Sequence, residues 1–291
     1  MYRGVYTALV TPFARDESID EKALRSLVDF QIAGGVAGIV PVGTTGESPT
    51  VTHEENVEVV RIVADQVAGR VDVIAGTGSN STAEAVRMTK LASEVGATAT
   101  LQVAPYYNKP TQEGLYRHFW TIADATDLPM VVYNIPGRTA CNIETSTLMR
   151  LAEHPNIVAV KEASGSMAQV MDVCDRKPDG FSVLSGDDNL TLPLLSLGGS
   201  GVVSVASNIA PKLMVEMVRL ALEEDYEAAR AIHYRLLPLF RGAFLKTNPI
   251  PIKYAAAALG MIQEVYRLPL WPLEGDDRAA MDKILELVKP E

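Results

Sequence analysis

Short apolar runs rich in β-branched residues recur along most of the chain. Each is followed by a longer stretch whose apolar side chains return at helical spacing. The runs are Val5–Leu9, Gly38–Val42, Val71–Ala75, Ala99–Ala104, Pro129–Asn134, Ile157–Lys161, Phe181–Ser185 and Gly201–Ala206. Between them the pattern predicts helices over Glu21–Ala33, Glu54–Val67, Thr82–Val95, Gln112–Ala125, Thr145–Ala152, Met167–Cys174 and Asn189–Leu197. Runs such as Val71–Ala75 and Met130–Tyr133 are almost continuously apolar, as strands covered on both faces are. Strands that alternate with helices pair in parallel through right-handed crossovers, and eight such units closing on themselves form an α/β fold, the (β/α)8 TIM barrel. An open doubly wound sheet would want a Gly-rich nucleotide turn after its first strand, where this chain reads Val10-Thr11-Pro12-Phe13. From Pro211 onward only helical signals remain, over 212–223, 226–237, 251–259 and 276–288. The expected organisation is a barrel over 1–210 with a C-terminal helical extension over 211–291 packed on it. Asn248-Pro249-Ile250-Pro251 makes a rigid turn into the third of those helices.

Composition narrows the partners. Of 291 residues, 47% are hydrophobic and 21% charged, enough to bury a sizeable core. Lys and Arg number 26 against 36 Asp and Glu, and the net charge of −10 argues against nucleic acid or an anionic membrane as partner. An anionic substrate must then be held by a few local cations and backbone N–H groups. No run approaches the ~20 apolar residues of a membrane span, and Asp16, Glu17 and Asp20 fall too early for a secretory leader. Cys141 and Cys174 are too few for a disulfide scaffold and fit a reduced cytoplasm. His53, His118, His154 and His233 show no zinc spacing, so neither a metal nor a cofactor is expected.

In such a barrel, functional groups gather at the C-terminal ends of the strands. Lys161 closes one of the apolar runs, and alternation puts it on the same side as Ile157 and Ala159. A lysine aimed into the barrel loses solvation, which favours the neutral amine, the form that attacks a carbonyl carbon to give an imine. The alternative is a lysine that leaves the barrel mouth and pairs with Glu162. Imine formation needs a proton shuttle, and phenols at Tyr133 and Tyr107 match a lysine amine in ordinary pKa, with the Thr44 hydroxyl as a bridge between them. Gly43-Thr44-Thr45-Gly46-Glu47 can turn its N–H groups toward one point and hold a carboxylate, helped by the Thr45 hydroxyl. Arg138 offers a fork for a second carboxylate. Asp187 and Asp188 read as helix caps rather than cation ligands, Gly198–Gly201 as a close turn, and Thr52-His53-Glu54-Glu55 as a capping box.

These residues resemble the pyruvate-dependent class I aldolase and lyase barrels, and within them the dihydrodipicolinate synthase family. The resemblance runs from Gly4–Ala8 to Thr247–Pro251 and is strongest at Gly43–Glu47, Pro105–Tyr107, Tyr133–Thr139 and Val160–Ser164. It implies that Lys161 captures pyruvate as a Schiff base, with Tyr133, Thr44 and Tyr107 as proton relay and Tyr107 reaching into the neighbouring subunit's site. Thr45 would hold the pyruvate carboxylate, Arg138 the carboxylate of L-aspartate 4-semialdehyde, and Gly186 and Val203 would line the pocket. The implied product is 4-hydroxy-tetrahydrodipicolinate, on the diaminopimelate route to L-lysine. Relatives that cleave 2-keto-3-deoxy sugar acids or N-acetylneuraminate share the lysine and tyrosine but typically lack the arginine, so Arg138 is what separates the two activities. The resemblance also implies a homotetramer built as a dimer of dimers and an L-lysine effector site at Ser48, His53, Asn80, Glu84 and Tyr106. Pro49 and Asn56 depart from the pattern of lysine-sensitive members and imply weak inhibition.

Overall fold

The computed structural model describes residues 1–289. Its strands are β1 (Gly4–Ala8), β2 (Gly38–Val40), β3 (Asp72–Gly76), β4 (Ala99–Val103), β5 (Met130–Asn134), β6 (Ile157–Glu162), β7 (Ser182–Ser185) and β8 (Gly201–Ser204). All pair in parallel in chain order, and β1 closes the barrel on β8. Helices α1 (Glu21–Ala33), α2 (His53–Val67), α3 (Thr82–Glu94) and α4 (Gln112–Asp124) follow the first four strands. A single turn, α5 (Pro136–Thr139), precedes α6 (Thr145–Leu151), and α7 (Met167–Arg176) follows β6. The helix expected over Asn189–Leu197 is split into a 3-10 turn, Asp188–Leu190, and α8 (Thr191–Ser196).

The eighth helix of the outer ring is α9 (Pro211–Leu222), which packs against β1 and α8. Its residues therefore complete the barrel, although the sequence groups them with the extension. Beyond the ring lie α10 (Tyr226–Gly242), α11 (Ile250–Ala258) and α12 (Gly275–Val288). Periodicity ends α10 at Leu237, before Pro238. The helix runs on because buried Leu239 and Phe240 hold its last turns, outweighing the one bond that a proline removes.

Inward-facing residues such as Tyr6, Val40, Ile74, Val131 and Ala159 fill the barrel interior. Outside the sheet, one apolar cluster runs from Val5 and Leu24 through Phe240 and Ile252 to Met281, so the extra helices share their core with the barrel. Each such side chain, fully buried, stabilises the fold by about 1.5–3 kcal/mol. Strand β2 stops at Val40, short of the expected Val42. Pro41 has no N–H to give the ladder, and Val42 turns to φ 47°, a left-handed conformation rare for a β-branched residue. That turn carries the Gly43–Glu47 segment over the barrel mouth. Among the described residues, no helix is long and apolar enough to cross a membrane.

Candidate active site

Strand register brings the first pair of candidate residues together. Tyr133 on β5 is the direct partner of Lys161 on β6, which in turn neighbours Leu184 on β7. Lys161 is only 5% exposed, and its Nζ sits 4.1 Å from the centroid of the Tyr133 ring. Burial pulls the amine down from 10.5 to about 8, while the carboxylates of Asp187 and Asp188 push it back up and Arg138 lowers it further. That change disfavours the ammonium by about 3 kcal/mol, and raises the neutral fraction at pH 7 from about 0.03% to about 10%. The pairing with Glu162 does not occur. Glu162 faces away from the barrel axis, accepting hydrogen bonds from the Ser164 N–H at 2.6 Å, Asn134 Nδ2 at 3.2 Å and Gln169 Nε2 at 3.3 Å.

Tyr133 is buried too, and burial pushes its phenol well above the usual range, with Arg138 and a hydrogen bond from Thr44 opposing. The match between phenol and amine that ordinary values predict is therefore lost. Desolvation disfavours the charged form of each group, which moves a phenol up and an amine down. Tyr133 and Thr44 can still relay a proton as neutral hydroxyls, each donating while it accepts.

Thr45 is buried, and its hydroxyl accepts from Asn248 Nδ2 at 3.0 Å. Arg138 lies exposed at the rim and donates to the Asn248 carbonyl at 3.1 Å. One residue beyond the barrel thus ties together both candidate carboxylate holders. Its Oδ1 is buried and has no partner. Gly186 sits where a Cβ would lie 2.6 Å from Ala163 Cβ and 3.2 Å from Lys161 Cε, so only glycine leaves the lysine its place. Val203 closes the interior from β8.

A cavity of about 320 Å³ opens over the mouth. Its wall includes Thr44, Tyr133 and Arg138 together with Ser48, His53, Glu84 and Tyr106. Lys161, Thr45, Gly186 and Val203 are not part of its wall; the lysine lies behind the Tyr133 ring. Within this group Glu84 is paired with His53 and accepts from Ser79 Oγ, while Asn80 Nδ2 donates to the Tyr106 carbonyl at 3.1 Å. Tyr107 stands apart. It is 90% exposed at φ 73° and is not among the residues that line the cavity.

Several residues escape a reading by motif. Asn248 enters the sequence as part of a proline-rich turn, and nothing local marks its side chain for Thr45. Asp187 and Asp188 do not cap the turn that follows them. Asp188 instead accepts from the N–H groups of Val205 and Ala206 at 3.0 and 2.9 Å, tying the β7 and β8 loops, and the half-buried Asp187 carboxylate acts electrostatically on Lys161 and Tyr133. Acidic residues directly after a strand facing Lys161 were the available signal.

The model of the dihydrodipicolinate synthetase family matches residues 1–288. The chain belongs to that family. The 4-hydroxy-tetrahydrodipicolinate synthase of Koribacter versatilis is 55% identical over 283 residues, covering 97% of this chain and 94% of the relative. Two solved members of the dihydrodipicolinate synthetase family carry ligands. The chloride-inhibited dihydrodipicolinate synthase of Acinetobacter baumannii, complexed with pyruvate, superimposes with a TM-score of 0.97 at 42% identity, covering 99% of both chains. The enzyme of Cyanidioschyzon merolae with lysine bound gives 0.97 at 44% identity, covering 99% of this chain and 98% of that one.

Proposed function

We propose that the protein condenses pyruvate with L-aspartate 4-semialdehyde to give 4-hydroxy-tetrahydrodipicolinate and one water. The observation that carries this reading is the Lys161 amine, buried with its Nζ 4.1 Å from the centroid of the Tyr133 ring, where desolvation disfavours the ammonium. The neutral Nζ adds to the keto carbon of pyruvate, and Tyr133 and Thr44 carry a proton to the carbinolamine oxygen, which leaves as water. Thr45 and the N–H groups of its turn hold the pyruvate carboxylate. Loss of a methyl proton converts the imine to an enamine, whose terminal carbon attacks the aldehyde of the second substrate, gripped by Arg138 through its carboxylate. The amino group of that substrate then attacks the former keto carbon, displacing Lys161 and closing the ring. Tyr107 serves the site of a neighbouring copy, which its exposure supports, and the assembly is a homotetramer of two dimers. Free Cys141 and Cys174 support a cytoplasmic location.

Borohydride reduction in the presence of pyruvate tests the central step. A pyruvate-derived mass increment on the peptide bearing Lys161, absent from Lys161→Ala, is the expected result, and an unmodified wild-type peptide would rule the mechanism out. Arg138→Ala should keep the pyruvate adduct and lose semialdehyde turnover; retained turnover would show that another group holds the semialdehyde carboxylate. L-lysine is the proposed effector at Ser48, His53, Asn80, Glu84 and Tyr106, because Ser48, His53, Glu84 and Tyr106 line the same cavity as Thr44 and Tyr133. Weak inhibition is expected at subsaturating pyruvate, and rates unchanged by excess L-lysine would remove this part.

A further inference from the structure

The extra C-terminal helices reach the barrel mouth through a second tie, at the end of the Gly43–Glu47 turn. Lys253 of α11 and Glu47, the last residue of the Gly43–Glu47 turn, are both completely buried, and the ammonium donates to Glu47 Oε1. The surroundings satisfy what remains of each group. Lys253 Nζ also donates to the Val265 carbonyl at 2.7 Å and lies 4.4 Å from the centroid of the Phe13 ring, and the Arg267 N–H reaches Glu47 Oε2 at 3.4 Å. Arg267 extends the clamp, pairing through both its terminal nitrogens with Glu55 of α2 at 2.6 Å and donating to the Thr50 carbonyl at 2.9 Å.

A buried ion pair is a poor source of stability. Desolvating two charges offsets their attraction, and uncharged residues of similar shape often serve as well. What such a pair does impose is a single geometry, and the geometry here is locally unfavourable. Val42 at φ 47° and Glu47 at φ 56° both occupy the left-handed region, and at Gly46 a Cβ would lie 2.9 Å from the Val42 nitrogen. Strained residues of this kind persist only where the surroundings over-determine them. Between the two lie Thr44 and Thr45.

We infer that Lys253 is a positioning residue for pyruvate: its buried pair with Glu47 holds the Val42–Glu47 turn in the strained form that presents Thr44, Thr45 and their N–H groups to the substrate carboxylate. The inference rests on the proposed role of that turn. It makes the helices beyond the barrel part of the binding apparatus rather than a cover.

The double variant Glu47→Gln with Lys253→Met removes both charges together and leaves no uncompensated one. Circular dichroism and thermal melting report its fold, and borohydride trapping at graded pyruvate concentrations reports binding. The pyruvate concentration for half-maximal trapping should rise about tenfold or more, since small misplacements of orienting groups carry large penalties, while trapping at saturating pyruvate falls much less. A folded double variant with unchanged half-saturation overturns the inference. If that variant does not fold, the near-isosteric Glu47→Gln alone is read in the same way. A wild-type protein that traps no pyruvate defeats the functional reading itself; a wild type that traps it, beside an unchanged variant, defeats only the role given to Lys253.

Discussion

An amine with a pKa of about 8 gains reactivity over a pH range where an ordinary lysine stays charged. Because burial lowers the value, the reactive form increases as pH rises through about 8. Formation of the pyruvate adduct at pH 7 should therefore run about tenfold below its plateau above pH 9. Adduct yield at short times, measured by mass spectrometry across that range, checks this; a midpoint near 10.5 would mean that Lys161 is solvated. The sign for stability follows from the same shift. Between about 8 and 10.5 the unfolded chain holds a proton on this residue that the folded chain has released, so the contribution of Lys161 to stability grows with pH across that window. Other features at this scale were legible in part. Lys161 could be placed from the period-two run before it, whereas the fate of the Tyr133 phenol could not, since it depends on how many atoms exclude water from the hydroxyl.

At the scale of the element, helix α2 begins as its sequence predicts. Thr52 accepts from the Glu55 N–H at 3.1 Å, and the Glu55 carboxylate accepts from the Thr52 N–H at 2.8 Å. Thr52→Ala should cost about 1 kcal/mol, seen as a shift of the denaturant midpoint, with the pyruvate adduct still formed. An unchanged midpoint would show that Arg267, which also holds Glu55, fixes the helix start by itself. Strands and helices of the barrel were readable because their periods are local properties of the chain. Their ends were less so: β2 is cut short by the turn at Val42, and α10 continues through Pro238 on the strength of contacts made by Leu239 and Phe240.

For the whole molecule, the exposed Tyr107 carries the clearest consequence. If it completes a neighbour's site, Lys161→Ala and Tyr107→Phe chains, each nearly inactive alone, should complement one another. Coexpression yields hybrid dimers with one intact site, and random pairing gives about a quarter of wild-type activity. Absence of recovery would confine each site to its own chain.

The sequence by itself determined the eight-unit barrel and the family, and put candidate residues at the strand ends, because alternation, helical period and short motifs are all carried by neighbouring positions. Tertiary structure alone decided the state of those residues. The neutral tendency of Lys161, the grip of Asn248 on Thr45 and the Glu47–Lys253 pair arise between segments brought together only when the chain closes and shuts out water. Desolvation and charge pairing act through space, and no local pattern records them.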